Sequence, residues 1–115
     1  MNPILEINEP DFEREVLQSR QPVLVNFWAA WSRPCQVLGP VLEEVADACN
    51  GRTKVVKINA DANPLLGMSY WIQSIPTLLY FINGQERARI VGTASQEAIL
   101  AQLESLISQT NNVTK

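Results

Sequence analysis

The feature that most constrains the fold is a nearly continuous apolar run, Pro22–Trp28, followed by a segment whose apolar residues recur at helical spacing. An apolar run without polar alternation is typical of a β-strand that is buried on both faces. The segment that follows, from about Pro34 to Cys49, carries one long apolar stripe, and Asn50-Gly51 is a typical helix stop. A buried strand that leads into an amphipathic helix predicts an α/β fold.

The alternation of strands and helices continues to the end of the chain. We predict further strands at Lys54–Asn59, Thr77–Ile82 and Glu86–Val91. The last two strands are expected to pair antiparallel, because Asn83-Gly84 is a strong signal for a two-residue hairpin turn.

Three more helices are predicted from apolar spacing and capping residues. Asp11 is expected to cap a short first helix, the segment from Asn63 to about Tyr70 forms another, and Ser95 caps the last. The last helix directs its apolar residues inward, and a polar segment follows it. We therefore expect a single domain over residues 1–108 and a polar C-terminal tail over residues 109–115.

The composition excludes several classes of function. The chain has 115 residues, a formal net charge of −3 and no histidine. The acidic balance argues against a nucleic-acid partner. No apolar run reaches the ~18 residues that a membrane span requires, and no signal peptide is visible, so we expect a cytoplasmic monomer without a membrane partner. The lack of histidine excludes Ser-His and Cys-His catalysis and most zinc sites, so neither a metal nor a cofactor is expected.

The two cysteines are not expected to form a disulfide bond. In a continuous helix, Cys35 and Cys49 lie roughly 21 Å apart along the axis, whereas a disulfide requires Cα atoms within about 7 Å of each other. Cys49 belongs to the apolar stripe and is interpreted as a buried packing residue. The alternative for Cys49 is a thiol exposed by fraying at the end of the helix.

Several short motifs, in their order and spacing, resemble the thioredoxin family over essentially the whole chain. The matching residues are Val25–Trp31, Pro34-Cys35, Pro40, Lys57, Asp61–Pro64, Tyr70, Ile75-Pro76-Thr77, Asn83-Gly84 and Gly92. The resemblance implies a thioredoxin fold, with a five-stranded mixed sheet flanked by four helices and a cis peptide bond before Pro76. It also implies an apolar groove that a protein or peptide partner enters by strand addition. The residues expected to bind that partner are Trp31, Arg33, Pro34, Ile75, Pro76, Val91 and Gly92.

The chain departs from the family pattern at the position of the attacking thiol. Thioredoxins carry Cys-Gly-Pro-Cys where this chain has Ser32-Arg33-Pro34-Cys35, so Ser32 replaces the nucleophilic cysteine. A serine hydroxyl is a poor nucleophile without an adjacent base, and we interpret Ser32 as a helix cap. Asn26 also replaces a buried aspartate that assists proton transfer at the second cysteine, and an amide cannot exchange that proton. These joint changes favour natural divergence over an engineered substitution.

Two functional hypotheses are consistent with these residues. In the first, the chain is a redox-impaired module that binds protein partners through the groove. In the second, Cys35 acts as a residual thiol in a single-cysteine oxidoreductase or redox sensor, and an external thiol resolves the mixed disulfide. Lys57, without its usual carboxylate partner, is expected to extend toward solvent or to find another acceptor. Trp71, where the family has a small residue, either enlarges the apolar surface or packs on the short helix.

Overall fold

Five strands form one mixed sheet in this computed structural model, which describes residues 3–113 and their side chains as far as residue 110. In chain order they are β1 (Leu5–Glu6), β2 (Val23–Trp28), β3 (Lys54–Asn59), β4 (Thr77–Ile82) and β5 (Gln85–Val91). Their order across the sheet is β1-β3-β2-β4-β5. β3 is parallel to β1 and β2, and β4 is antiparallel to β2 and β5. The expected five-stranded mixed sheet is confirmed.

The strand β2 lies at the centre of the sheet because it is apolar on both faces. Its residue Val25 pairs with Val56 of β3 on one side and with Leu79 of β4 on the other. The first five residues of β2 are all buried, as the uninterrupted apolar run predicts.

Four helices flank the sheet, as expected. They are α1 (Glu9–Phe12), which continues as a π-helical segment (Glu13–Leu17), α2 (Arg33–Cys49), α3 (Pro64–Ser69) and α4 (Gln96–Val113). Between residues 3 and 113, no helix is both long enough and apolar enough to cross a bilayer.

The ends of two helices differ from the sequence-based prediction. Asp11 is not the cap of α1, which begins earlier because Asn8 is the N-cap and Pro10 fits the first turn. Asp11 instead lies in that first turn, and its Oδ2 accepts a hydrogen bond of 3.2 Å from the Asn8 backbone N–H. α4 extends into the predicted polar tail, where Thr110 Oγ1 donates to the Leu106 carbonyl at 3.0 Å. Residues 114–115 of that tail lie outside the described part of the chain.

Two apolar clusters fill the two faces of the sheet. One joins the sheet to α2 and α4, and the other joins it to α1 and the end of α3. Cys49 lies in the first cluster, where burial raises the pKa of its thiol. Its interpretation as a packing residue is therefore confirmed. In the same cluster the Tyr80 hydroxyl donates to the Ile99 carbonyl at 2.9 Å and ties β4 to α4.

The hairpin between β4 and β5 turns at Asn83-Gly84, as predicted. Both residues have positive φ, 54° and 78° respectively, the backbone that a two-residue hairpin of this kind requires. A Cβ atom at Gly84 would lie 2.6 Å from the Leu17 carbonyl oxygen. Only glycine therefore allows the turn to approach the end of the first helical segment so closely.

Candidate functional site

Ser32, which the resemblance places at the position of the attacking thiol, is the N-cap of α2. Ser32 has extended backbone and is only 3% exposed, and its Oγ accepts a hydrogen bond of 3.3 Å from the Cys35 backbone N–H. Arg33 and Pro34 form the first two positions of the helix and are exposed. Proline is favoured at the start of a helix because its missing N–H would have no partner there. The Ser32 hydroxyl therefore satisfies a helix N–H, as the sequence predicts.

The one thiol of the motif lies beneath the surface. Cys35 is 7% exposed and Cys49 is buried at the far end of α2, and neither is in a disulfide within the described residues. A thiol attacks a disulfide only as an accessible thiolate. A protein disulfide therefore reaches the Cys35 sulfur only if the surrounding groups move.

Asn26 and Lys57 lie side by side on β2 and β3. Asn26 is 5% exposed, and its Oδ1 has no hydrogen-bond partner among the described residues. The Lys57 Nζ lies 5.0 Å from the centre of the Trp28 ring, so a π-face replaces the carboxylate that this cation would have in the family. Asn26 and Lys57 line a cavity of about 330 Å³, to which Glu43 also contributes.

A backbone hydrogen bond joins the segment before β4 to the residue that follows β5. The peptide bond between Ile75 and Pro76 is cis, and the Pro76 carbonyl accepts a hydrogen bond of 2.8 Å from the Gly92 N–H. Gly92 has a φ of 93°, which favours glycine. Val91 pairs with Thr77 and is exposed, whereas Pro76 is buried and Ile75 half-buried.

A cavity of about 790 Å³ lies between Trp31 and α3, and we call it the two-tryptophan cavity. Its lining includes Trp31, Asp61, Met68, Trp71 and Ile75. Of the residues expected to bind a partner, only Trp31 and Ile75 line it. Arg33, Pro34, Pro76, Val91 and Gly92 lie outside its lining.

Asp61 and Met68 line the cavity although neither is predicted from the sequence to bind a partner. A signal was present in α3, whose six residues include Leu65, Leu66 and Met68. A short helix at the edge of a domain cannot bury every one of its large apolar side chains, and Leu65 and Met68 are both exposed. Such a surplus of exposed apolar side chains indicates an interaction surface.

The α3 wall of the two-tryptophan cavity is anchored to α1. The Glu9 Oε2 atom accepts hydrogen bonds from the backbone N–H groups of Leu65 (2.8 Å) and Leu66 (3.2 Å). The Asn63 Oδ1 atom in turn accepts from the Glu9 N–H at 2.8 Å. The carboxylate supplies acceptors for the first turn of α3, where negative charge is favoured.

Trp31 is held in place although its side chain is 71% exposed. Its Nε1 donates a hydrogen bond of 2.8 Å to Asp61 Oδ2. Asp61 lies in a turn after β3 that Asn59 stabilises, because the Asn59 Oδ1 accepts from the N–H groups of Asp61 and Ala62. Trp71, which also lines the cavity, is 78% exposed and has a φ of 56°.

Comparison with known proteins agrees with this architecture. Residues 3–105 match the family described as thioredoxin. The thioredoxin of Acidithiobacillus ferridurans is 45% identical over 102 residues, which cover 89% of this chain and 94% of that protein. Thioredoxin 1 of Nostoc sp. strain PCC 7120 is 41% identical over 104 residues, which cover 90% of this chain and 97% of that protein. The chain belongs to the thioredoxin family.

Proposed function

We propose that this chain is a redox-impaired thioredoxin-family protein that binds protein or peptide partners through the apolar surface around Trp31 and Ile75. The observation that carries the proposal is the Ser32 hydroxyl, which stands in place of the attacking thiol and caps α2.

A dithiol protein reduces a disulfide with two of its own sulfur atoms. The first, as a thiolate, attacks one sulfur of the substrate disulfide, forms a mixed disulfide and releases the other substrate sulfur as a thiolate. The second then attacks the mixed disulfide, forms a disulfide bond between the two protein sulfurs and releases the reduced substrate. Ser32 cannot form the mixed disulfide, and the chain contains no histidine to activate its hydroxyl. Cys35 alone carries out at most the first step.

The chain keeps an exposed apolar surface that a partner can contact, although it lacks the second thiol of a dithiol site. Trp31 and Trp71 are exposed on the two-tryptophan cavity, and Val91 is exposed at the end of β5. Exposed apolar groups of this kind mark interaction sites. The backbone of Ile75 makes no hydrogen bond within residues 3–113, so its N–H and carbonyl are open to an added peptide strand.

The relatives are named thioredoxins, so turnover through Cys35 is the alternative that an experiment has to exclude. Reduction of insulin by dithiothreitol should proceed at the uncatalysed rate with this chain and with Cys35→Ser. Iodoacetamide should label Cys35 only after denaturation, because the thiol is recessed. The matched control is Cys49→Ser, which leaves Cys35 as the single thiol and makes the labelling unambiguous. Catalysed insulin reduction that Cys35→Ser abolishes would overturn the proposal. The monomeric, cytoplasmic state expected from the sequence stays a prediction.

A further inference from the structure

We propose that the two-tryptophan cavity binds an arginine side chain of an extended peptide partner, between the indole rings of Trp31 and Trp71 and beside the Asp61 carboxylate. This inference rests on the proposed function, because it names the chemistry of the partner that the same surface accepts.

The charge of the cavity selects a cation. Asp61 is the one ionisable side chain among the described residues that line it. Its Oδ2 accepts the indole N–H of Trp31. Its Oδ1 has no hydrogen-bond or ion-pair partner within the described part of the chain. A carboxylate that has an unpartnered oxygen and belongs to the lining of an apolar cavity favours a positively charged hydrogen-bond donor.

The aromatic groups select arginine among the cations. An indole ring attracts a cation to its face, and tryptophan does so more strongly than the other aromatic residues. A guanidinium group is planar, stacks on aromatic faces and donates hydrogen bonds in its own plane to a carboxylate. It is also more weakly hydrated than the ammonium of lysine and so enters an apolar cavity more readily. Met68 and Ile75 supply apolar lining for the methylene groups of the same side chain.

The backbone at Trp71 ends α3 and so fixes where its ring lies. With Tyr70 as the C-cap, the Ile72 N–H donates to the Gly67 carbonyl at 2.8 Å and the Trp71 N–H donates to the Met68 carbonyl at 3.2 Å. These are the hydrogen bonds of a Schellman motif, in which the residue after the C-cap has positive φ, as Trp71 does at 56°. The indole is largely exposed and lines the cavity together with Trp31, and it is not part of the core.

The position of the cavity fits a peptide that pairs with Ile75. Ile75 is among the residues that line the cavity, and its backbone N–H and carbonyl make no hydrogen bond within residues 3–113. Alternate side chains of an added strand point to the same face. One of those side chains therefore enters the cavity while the peptide backbone stays at Ile75.

The test compares two blocked five-residue peptides that carry, between leucines, either arginine or citrulline, which is its neutral urea analogue. Binding is followed by the indole N–H resonances of Trp31 and Trp71 in NMR titrations. The arginine peptide should bind about five-fold more tightly at low salt, and added salt should reduce this preference. Asp61→Asn should remove the preference, because the amide oxygen still accepts from Trp31 while the charge is lost. Glu104→Gln, an equal loss of charge on the exposed face of α4, should leave the preference unchanged.

Equal binding of the two peptides would overturn the arginine inference while leaving partner binding intact. A preference that survives Asp61→Asn, or the absence of binding by either peptide, would also overturn it. Insulin turnover through Cys35 would instead contradict the proposed function, so the two failures are distinguishable.

Discussion

The side chain of Ser32 puts a hydroxyl oxygen at the start of α2, where the resemblance to thioredoxins predicts a thiol. The oxygen accepts the Cys35 N–H and satisfies one of the donors that every helix leaves open at its start. A thiolate at the same place would be stabilised by the same helix terminus but would also be a nucleophile. The residue type alone predicts the cap, because serine is among the most favoured residues at that position.

Removal of the cap should destabilise the protein without affecting any catalytic step. Ser32→Ala is expected to lower the free energy of unfolding by about 1 kcal/mol, and Ser32→Gly by only a few tenths. Urea denaturation measures both. Ser95→Ala is the matched control, because Ser95 Oγ accepts from the Ala98 N–H at 3.1 Å at the start of α4. A Ser32→Ala protein as stable as the parent, beside a destabilised Ser95→Ala, would contradict the assignment.

Trp71 is expected to reduce stability because of its backbone conformation. Trp71→Gly should be about 1 kcal/mol more stable than Trp71→Ala, since glycine adopts positive φ freely and alanine does not. The two variants lose the same indole ring, so the difference between their free energies of unfolding reports the cost of positive φ at residue 71. Thermal or urea unfolding gives the comparison. Equal stabilities would show that φ at residue 71 is not strained.

At the scale of elements, the sequence predicts those segments whose pattern is local. β2, α2 and the hairpin at Asn83-Gly84 carry apolar runs, helical spacing or turn residues that specify them. β1 has no such pattern, because its two residues are exposed and it exists only by pairing with β3. The contact of Lys57 with Trp28 depends on the register of neighbouring strands, and the two-tryptophan cavity depends on how α3 docks. Neither follows from a local pattern.

The contact between β4 and α4 should make stability depend on alkaline pH. Burial raises the pKa of Tyr80 to about 12, from 10.0. The pKa of Tyr80 is therefore higher in the folded state than in the unfolded state. The contribution of the protonated Tyr80 side chain to stability is complete below pH 10 and is lost as pH rises toward about 12. Between these two pH values, the free energy of unfolding of Tyr80→Phe should fall less steeply than that of the parent. At neutral pH the variant should be about 1 kcal/mol less stable than the parent.

Free energies of unfolding at several pH values test this dependence. Tyr70→Phe is the control at neutral pH, because no hydrogen bond of the Tyr70 hydroxyl occurs among the described residues. A parent and a Tyr80→Phe variant with the same slope above pH 10 would contradict the assignment.

At the scale of the whole molecule, the chain belongs to the thioredoxin family, whereas the proposed loss of dithiol exchange rests on two side chains, Ser32 and Asn26. The match extends over residues 3–105, and the resemblance of short motifs therefore predicts the fold from one end of the domain to the other. The fold does not decide the function, because activity depends on the side chains of the site.

Restoration of the buried carboxylate should matter only once the thiol is restored. Asn26→Asp alone should leave insulin reduction at the uncatalysed rate. Combined with Ser32→Cys it should exceed Ser32→Cys alone, because a carboxylate accepts and releases the proton of Cys35 and an amide does not. A double variant no faster than Ser32→Cys would show that Asn26 does not limit the chemistry.

The most direct test of the account is the rate of insulin reduction, with dithiothreitol as reductant, by this chain and by Ser32→Cys. We predict no catalysis by the chain and clear catalysis by Ser32→Cys, which is lost again when Cys35→Ser is added. Catalysis by the unchanged chain at the rate of Ser32→Cys would contradict the claim that the hydroxyl at Ser32 has switched off dithiol exchange. An inactive but folded Ser32→Cys protein would contradict the claim that the rest of the scaffold is competent.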